Sequence, residues 1–578
     1  MKRISCMLAL LLCAALLCGC AAAPLSGNLA SLLGGHDEET DEIPHFEDMV
    51  YERPQAALDD LERNLHRLEK AFEKHSAFRT VTHILDLCYT DYYHFDTMYC
   101  LAEIRSCQDM TDPFYAEELT WCTDAYTDLL ERMEEIYTLC AGSELAQRLE
   151  KEYFWEGFAG EYADAELSTY NEETLRLMHR ESALLAEYRE LVAAPDVVLE
   201  NGREVDLYSF LTGADDEEYE EALMAYYRQY NDEMSRIYIE LVKTREDLAD
   251  ALGFDSYEDM AYAYSFDRDY GPEDAERYIE DIREWIVPLY RELEDYWVDY
   301  PWLEEEELCS ALRRAARAMG GDVWDAFSFM SRYDLYDVGL SENKSAKSFQ
   351  TYLNDYDAPF VFVSPSGDDS DILSFAHEFG HFLDAYVNYN ASESIDLAEV
   401  FSQSMEFLTL EYLQGALPAQ RLENLRTLKW MDTLDTYVQQ ASFAAFEQAV
   451  YAADPEELSA DFLNELSLQV AMDFGYYDGV SEEYYALSWI DILHFFEQPF
   501  YVISYPVSND LAMQIWELER QERGAGLRTY LAALPREEEG MIATAEAAGL
   551  ESPFAPGRIA RVAADLRAAL DMEEAAAA

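Results

Sequence analysis

The sequence predicts a mainly α protein built of two helical lobes, with one small β-sheet late in the chain. Three observations predict it. Long stretches repeat apolar residues at intervals of three and four with acids and bases between them, Gly and Pro rarely interrupt these stretches, and a single short segment has the aromatic and β-branched composition of strands. At 578 residues, half of them apolar, the chain can bury a large core divided between lobes.

The first residues read as a targeting segment. Lys2 and Arg3 precede an almost wholly apolar run from Ile4 to Leu17, too short for a comfortable membrane span, and Leu17-Cys18-Gly19-Cys20 follows. That ending resembles a bacterial lipobox. It implies a lipoprotein signal peptide over residues 1–19, cleavage before Cys20, and a lipid on Cys20 that anchors the mature chain to a membrane outside the cytoplasm. An ordinary secretory signal is the other reading, and it also exports the protein. Residues 20–45 are small, polar and acidic, the composition of a flexible tether.

Helical rhythm begins near Phe46. Ala56 to Phe72 and Ala116 to Tyr137 are its clearest stretches, and residues 46–200 are expected to form an N-terminal helical lobe. Asp196 to Leu211, with Pro195, Gly202 and Gly213 in or beside it, reads as a joint, and residues 201–572 as the region that carries the chemistry. Within that region Phe349–Leu353 and Phe360–Val363 are the candidate strands, separated by polar residues and Pro359. A loop, Ser364 to Asp369, leads from the second strand into the next helix.

Composition excludes some functions. The formal charge is −78, so nucleic acid, which needs a basic surface, is not an expected partner. The acids are spread along helices, as a soluble coat would be, although long-range attraction of basic peptides is a second use for them. Six Cys lie beyond the targeting segment: Cys88, Cys100, Cys107, Cys122, Cys140 and Cys309. Export permits disulfides among them, buried free thiols fit equally well, and no Cys-x-x-Cys pair suggests a metal or redox site.

The chemistry is concentrated at His377-Glu378-Phe379-Gly380-His381. Residues four apart lie one above the other on a helix, so His377 and His381 can present two imidazoles to one metal ion. Glu378 can then reach a water at that ion, the arrangement of zinc peptidases. The surrounding pattern agrees. Ile372, Phe375, Ala376, Phe379, Leu383 and Tyr386 form an apolar stripe, and Ser374, His377, Glu378, His381 and Asp384 fall off it. Gly380 costs about 1 kcal/mol relative to Ala inside a helix, so something is expected to approach its backbone closely. Of 10 His, seven lie at or before His179; only His377, His381 and His494 remain, which marks His494 as a third functional imidazole.

Two His leave a catalytic zinc one protein ligand short. Ile395 to Leu408 supplies acids on a second helix that Leu397, Val400, Phe401, Met405 and Leu408 mark as buried. Glu399 and Glu406 share a face two turns apart. Glu399 is the better third ligand, and Glu406 suits a partner that orients a ligand imidazole.

His377-Glu378-Phe379-Gly380-His381, followed by Ala398-Glu399-Val400-Phe401-Ser402-Gln403-Ser404-Met405-Glu406-Phe407-Leu408, resembles the oligoendopeptidase F branch of the thimet oligopeptidase family. The likeness extends over nearly the whole mature chain, through Tyr51-Glu52-Arg53-Pro54, Leu252-Gly253-Phe254, Arg268-Asp269-Tyr270 and Ala548 to Phe554. It implies two helical lobes around a deep substrate cleft, with a small sheet beside the zinc helix whose edge strand pairs with peptide backbone. It implies a zinc endopeptidase for short peptides, with one zinc ion held by His377, His381 and Glu399 and with Glu378 as base. His494 to Tyr505 resembles the family's His-then-Tyr segment, which makes Tyr505 the expected oxyanion donor and His494 and Tyr501 substrate-binding groups, His494 also serving catalysis.

Some positions depart from the family's pattern. Glu399 follows His381 by 18 residues, a shorter interval than usual, Lys344 to Ser348 stands where relatives carry glycines, Val502 replaces a frequent aromatic, and Pro506 follows Tyr505. The departures near Tyr505 motivate an alternative, a catalytically impaired peptide-binding lipoprotein; the intact Glu378 argues against it. A zinc hydrolase of non-peptide amides is a third reading.

Overall fold

The computed structural model describes residues 43–570 apart from 156, 163–171, 194, 212–213, 293–300, 342, 390–393, 478, 480 and 536–539. The expected signal peptide, Cys20 and the tether up to residue 42 lie outside the described residues.

The described chain is mostly helical. Three long antiparallel helices open it: α1 (Gln55–Glu73), α2 (Phe78–Gln108) and α3 (Pro113–Ala141). The third starts where the sequence says it should, with Asp112 accepting a hydrogen bond from the Phe114 N–H and Pro113 in the first turn. Then come α4 (Glu172–Ala193) and α5 (Asp216–Leu252), which pack together. The segment read as a joint forms a small antiparallel ribbon between them, β1 (Asp196–Val198) with β2 (Glu204–Asp206). Helix α5 carries a full capping box, Asp215 with Glu218, and ends at Gly253 in the left-handed region. Helices α6 (Pro272–Trp285), α7 (Glu305–Met319) and α8 (Gly321–Arg332) lead to the sheet.

Buried side chains fall into two clusters. One comprises α1, α3 and the first half of α2, including Leu61, Leu85, Phe95, Leu129 and Phe158. The other takes in the rest of the chain and, through Met98, Leu101 and Ile104, the second half of α2. Helix α2 therefore belongs to both.

The sheet has the order β3-β5-β4, from β3 (Tyr336–Asp337), β4 (Phe349–Leu353) and β5 (Ala358–Phe362). Of the two strands expected, the first is β4 with its bounds unchanged, and β3 was not expected. The second begins at Ala358 rather than Phe360 and contains Pro359. The register explains how: β3 pairs only from Val361 onward, so Pro359, opposite Tyr352, lies where β5 has a neighbour on one side and needs no second donor. Strand β4 is one edge, and the two-residue β3 is the other. The sheet packs on α9 (Asp371–Asn388), which follows the short loop as expected. That loop is fastened to the helix start, since Asp371 accepts hydrogen bonds from the Ser366 and Gly367 N–H groups, both at 2.8 Å.

Helix α10 (Ile395–Tyr412) packs on α9, and α11 (Ala419–Tyr451) and α12 (Ser504–Gln521) pack in turn on α10. All six Cys of the described chain are free thiols, five of them buried. No helix among the described residues is long and apolar enough to cross a membrane.

Candidate metal centre

Helix α9 buries its apolar stripe as expected, with Ile372, Phe375, Ala376, Phe379 and Leu383 almost inaccessible. The opposite face is enclosed too, because α10 lies across it: Glu378 is 2 % exposed. Gly380 makes this possible. A Cβ at that position would lie 2.5 Å from Ser402 Cα and 2.8 Å from the Phe401 carbonyl oxygen. The backbone of α10 occupies the space of the missing side chain, and that approach brings Glu399 beside the His pair.

His377, His381 and Glu399 each offer one ligand atom, and these atoms lie within 4.8 Å of one another. The two imidazole rings are 4.9 Å apart, and Glu399 Oε2 lies 3.6 Å from His377 Nε2. His377 Nδ1 hydrogen-bonds Glu406 Oε1 at 2.8 Å, as Glu406's place two turns from Glu399 suggested. With that nitrogen engaged, His377 Nε2 is buried without a hydrogen-bond partner on the side of His381 and Glu399. Two imidazole nitrogens and a carboxylate, one nitrogen lacking any other use, fit a metal ion.

Glu399 is held at both oxygens. Tyr501 donates to Oε1 at 2.9 Å and Ser402 to Oε2 at 3.1 Å. Burial raises its pKa, against the pull of His377 and these donors. Glu406 runs the other way: burial opposes its charge, but Lys429 and His377 outweigh burial and lower its pKa. Lys429 Nζ lies 2.7 Å from Glu406 Oε2 and 3.0 Å from Asp432 Oδ2. Sequence reasoning missed Lys429; its one signal is a Lys on the inward face of α11. Burial alone would lower the His377 pKa, yet the Glu406 hydrogen bond and the charges of Glu399, Glu406 and Glu378 hold it at about 9. A site that draws a proton onto a buried imidazole is one whose field favours a cation.

Glu378 points no hydrogen bond from Oε2 to the protein, and burial pushes its pKa to about 8, with His377 opposing and Glu399 and Glu406 adding to the rise. A carboxyl group poised near neutrality beside a metal site is equipped to take and return a proton.

The His-then-Tyr segment closes the site. The rings of His494, Tyr501 and Tyr505 form one cluster, at 5.2 Å for His494 to Tyr501, 6.0 Å for His494 to Tyr505 and 5.3 Å between the tyrosines. Burial pulls the His494 pKa down to about 4, and Glu497 offsets little of it. His494 is therefore a neutral imidazole near pH 7, with Nε2 buried and unpartnered. The backbone before Tyr501 is strained: Phe500 has φ 66°, a left-handed conformation bulky residues avoid, and its N–H donates to Glu447 Oε1 at 3.1 Å. Tyr501 thus binds Glu399, a contact its sequence position alone did not indicate. Pro506 falls in the first turn of α12, where no donor is needed, and its carbonyl accepts from the Tyr278 hydroxyl at 2.9 Å.

The profile of the peptidase M3 N-terminal domain matches residues 46–167, and that of peptidase family M3 matches residues 321–536, which includes every residue of the site. Together they take in more than half of the chain. None of the curated proteins compared with the chain matches it. Among solved structures, one provisionally named oligoendopeptidase F is 22 % identical with a TM-score of 0.75, covering 92 % of this chain and 99 % of its own. PZ peptidase A with an inhibitor is 21 % identical at the same TM-score and the same coverage. A provisionally named oligoendopeptidase F from Bacillus anthracis str. Ames is 23 % identical, with a TM-score of 0.69 over 92 % of this chain and 99 % of its own. These likenesses show a shared fold.

Proposed function

We propose, from the premise that this chain belongs to peptidase family M3 and is a metalloendopeptidase, that it is a zinc-dependent oligopeptidase that hydrolyses short unfolded peptides outside the cytoplasm. The observation that carries the reading is the convergence of His377, His381 and Glu399 to within 4.8 Å, with Glu378 in the same turn of α9. Two nitrogens and a carboxylate are a common ligand set for catalytic zinc. Bound by these three residues, zinc would polarise the scissile carbonyl and acidify an attacking water.

The chain's own groups supply the rest. Glu378 accepts the proton of the attacking water and returns it to the leaving amine. Tyr505 donates a hydrogen bond to the oxygen that becomes negative, and His494, neutral at working pH, donates from its ring to the substrate carbonyl. Tyr501 steadies Glu399, and its ring, beside His494 and Tyr505, is the group we assign to substrate binding. Edge strand β4, close to α9, is the surface for extended peptide backbone. We also propose that Cys20 carries the lipid that tethers the protein to the membrane, on the resemblance of Leu17–Cys20 to a lipobox.

The test is cleavage of a quenched fluorescent peptide mixture by the purified protein, with a chelator and with zinc add-back. Chelator-sensitive, zinc-restored cleavage is expected, and Glu378→Gln should bind zinc but not cleave. A folded, zinc-loaded protein that binds peptides without cutting them would instead be a binding lipoprotein. Loss of membrane association on Cys20→Ala tests the anchor.

A further inference from the structure

The side chain of Arg268 is fully enclosed, and it belongs to none of the groups above. Its guanidinium is caged by Tyr262, Phe266 and Tyr270, with ring centres at 4.4, 4.6 and 5.5 Å. Two local features turn it inward. Ala261–Ser265 is a π-helical turn, a feature common at functional sites, and Asp267 has φ 45°. The Arg268 N–H then closes the bend by donating to the Tyr262 carbonyl at 2.9 Å.

From this cage the side chain reaches both halves of the site. Its Nε lies 3.4 Å from Asp396 Oδ2, in the first turn of α10, one turn before Glu399. One terminal nitrogen donates to Ser504 Oγ at 2.8 Å, beside Tyr505. The cage reaches the site by a third route: Phe266 meets the Tyr501 ring edge-on at 6.0 Å, and Tyr501 donates to Glu399. Further hydrogen bonds tie α12 to α10, from Ser508 to the Asp396 carbonyl at 2.7 Å, from Gln403 Nε2 to the Tyr505 carbonyl at 3.3 Å, from Asn509 to Gln403 and from Trp516 to Glu411 at 3.2 Å.

Stability does not account for this arrangement. A buried ion pair is commonly no better than apolar residues of the same volume, because desolvation offsets its attraction. A forked cation that joins two separate segments is suited to fixing their relative placement. We propose that Arg268 is a positioning residue for this site: by clamping Asp396 and Ser504 it sets the distance between the Glu399 end of the metal ligands and the Tyr505 hydroxyl. The proposal rests on the reading of Tyr505 as the oxyanion donor.

The experiment compares Arg268→Met/Asp396→Leu, which removes both charges together, with the parent, in full-length zinc-loaded protein. Zinc content should stay at the parent level. KM should move by less than about threefold while kcat falls about tenfold or more, because the misplaced donor acts in the transition state. In a Tyr505→Phe background the same change should cost less than about twofold, since Arg268 acts through Tyr505. Equal losses in both backgrounds, or a change in KM alone, would overturn the proposal. Ser504→Ala strands no carboxylate and serves if the double variant does not fold: a loss in kcat of about threefold in the parent and none in Tyr505→Phe is expected, and unchanged kcat in the parent overturns it. Affinity for a phosphinic pseudopeptide, a tetrahedral mimic, gives the same comparison without turnover. If the parent binds the mimic but cleaves nothing, the enzymatic reading fails, and the Arg268 proposal still stands or falls on that affinity.

Discussion

His494 shows how much one buried side chain can set. Its pKa of about 4, down from the ordinary 6.5, means that between those values the unfolded chain binds a proton that the folded protein refuses. The unfolded state holds more protons in that window, so folded stability falls as pH drops through it and is unaffected above it. The full difference is about 3 kcal/mol by pH 4. His494→Gln should therefore lose less stability than the parent between pH 6.5 and 4, read as the difference in urea midpoints; identical pH profiles would show that burial does not perturb this ring. Lys429 acts at the same scale through Glu406 on His377. Lys429→Met leaves the buried Glu406 without its cation, so its pKa rises, and the carboxyl that takes up a proton is a poorer acceptor for His377 Nδ1. Metal affinity should fall about 10- to 100-fold by chelator competition, and Glu406→Gln should do the same. Combining the two should cost no more than either alone, because both act through one hydrogen bond; additive losses would break the relay.

At the scale of elements, the site is the seam between α9 and α10, and Gly380 sets its width. Gly380→Ala places a methyl group 2.5 Å from Ser402 Cα, against backbone that has no rotamer to give. The helices must part, with an expected loss of about 1–3 kcal/mol in thermal unfolding and weaker zinc binding as Glu399 is carried away from His377 and His381. Retained stability and affinity would mean that the helices slide rather than separate. This seam was legible in the sequence because its parts are local: a four-residue spacing sets the His pair on one face, a seven-residue spacing aligns Glu399 with Glu406, and Gly in a helix interior announces a close neighbour. The strand at Ala358 was misplaced by two residues because Pro359 reads as a breaker until the absence of a second neighbour is known. The roles of Lys429 and Arg268 were not legible, since Glu406 and Ser504 lie on other elements of the fold; Arg268 and Ser504 are 236 positions apart. Nothing in a sequence window says that a particular Arg turns inward, and here a π-turn and a positive φ decide it.

For the whole molecule, the two clusters of buried side chains make a statement about how metal binding spreads. The ligands sit on α9 and α10, inside the larger cluster, whereas α1, α3 and the first half of α2 close a core of their own. Metal bound to the folded state alone stabilises it by mass action, about 4 kcal/mol when free zinc is a thousand times the dissociation constant. Without the ion, His377, Glu378 and Glu399 share a pocket in which burial opposes each charge. Chelation should lower the unfolding temperature by several degrees and loosen the structure unevenly. Hydrogen exchange should speed up in α9, α10 and the segment around Tyr501, which hang on Glu399 directly. It should stay unchanged over most of residues 57–158, whose core makes no contact with the ligands, and the second half of α2, which belongs to the larger cluster, should mark the boundary. Uniform acceleration across both clusters would mean that α2 transmits the loss of metal from one to the other, and that the two cores fold as a single unit.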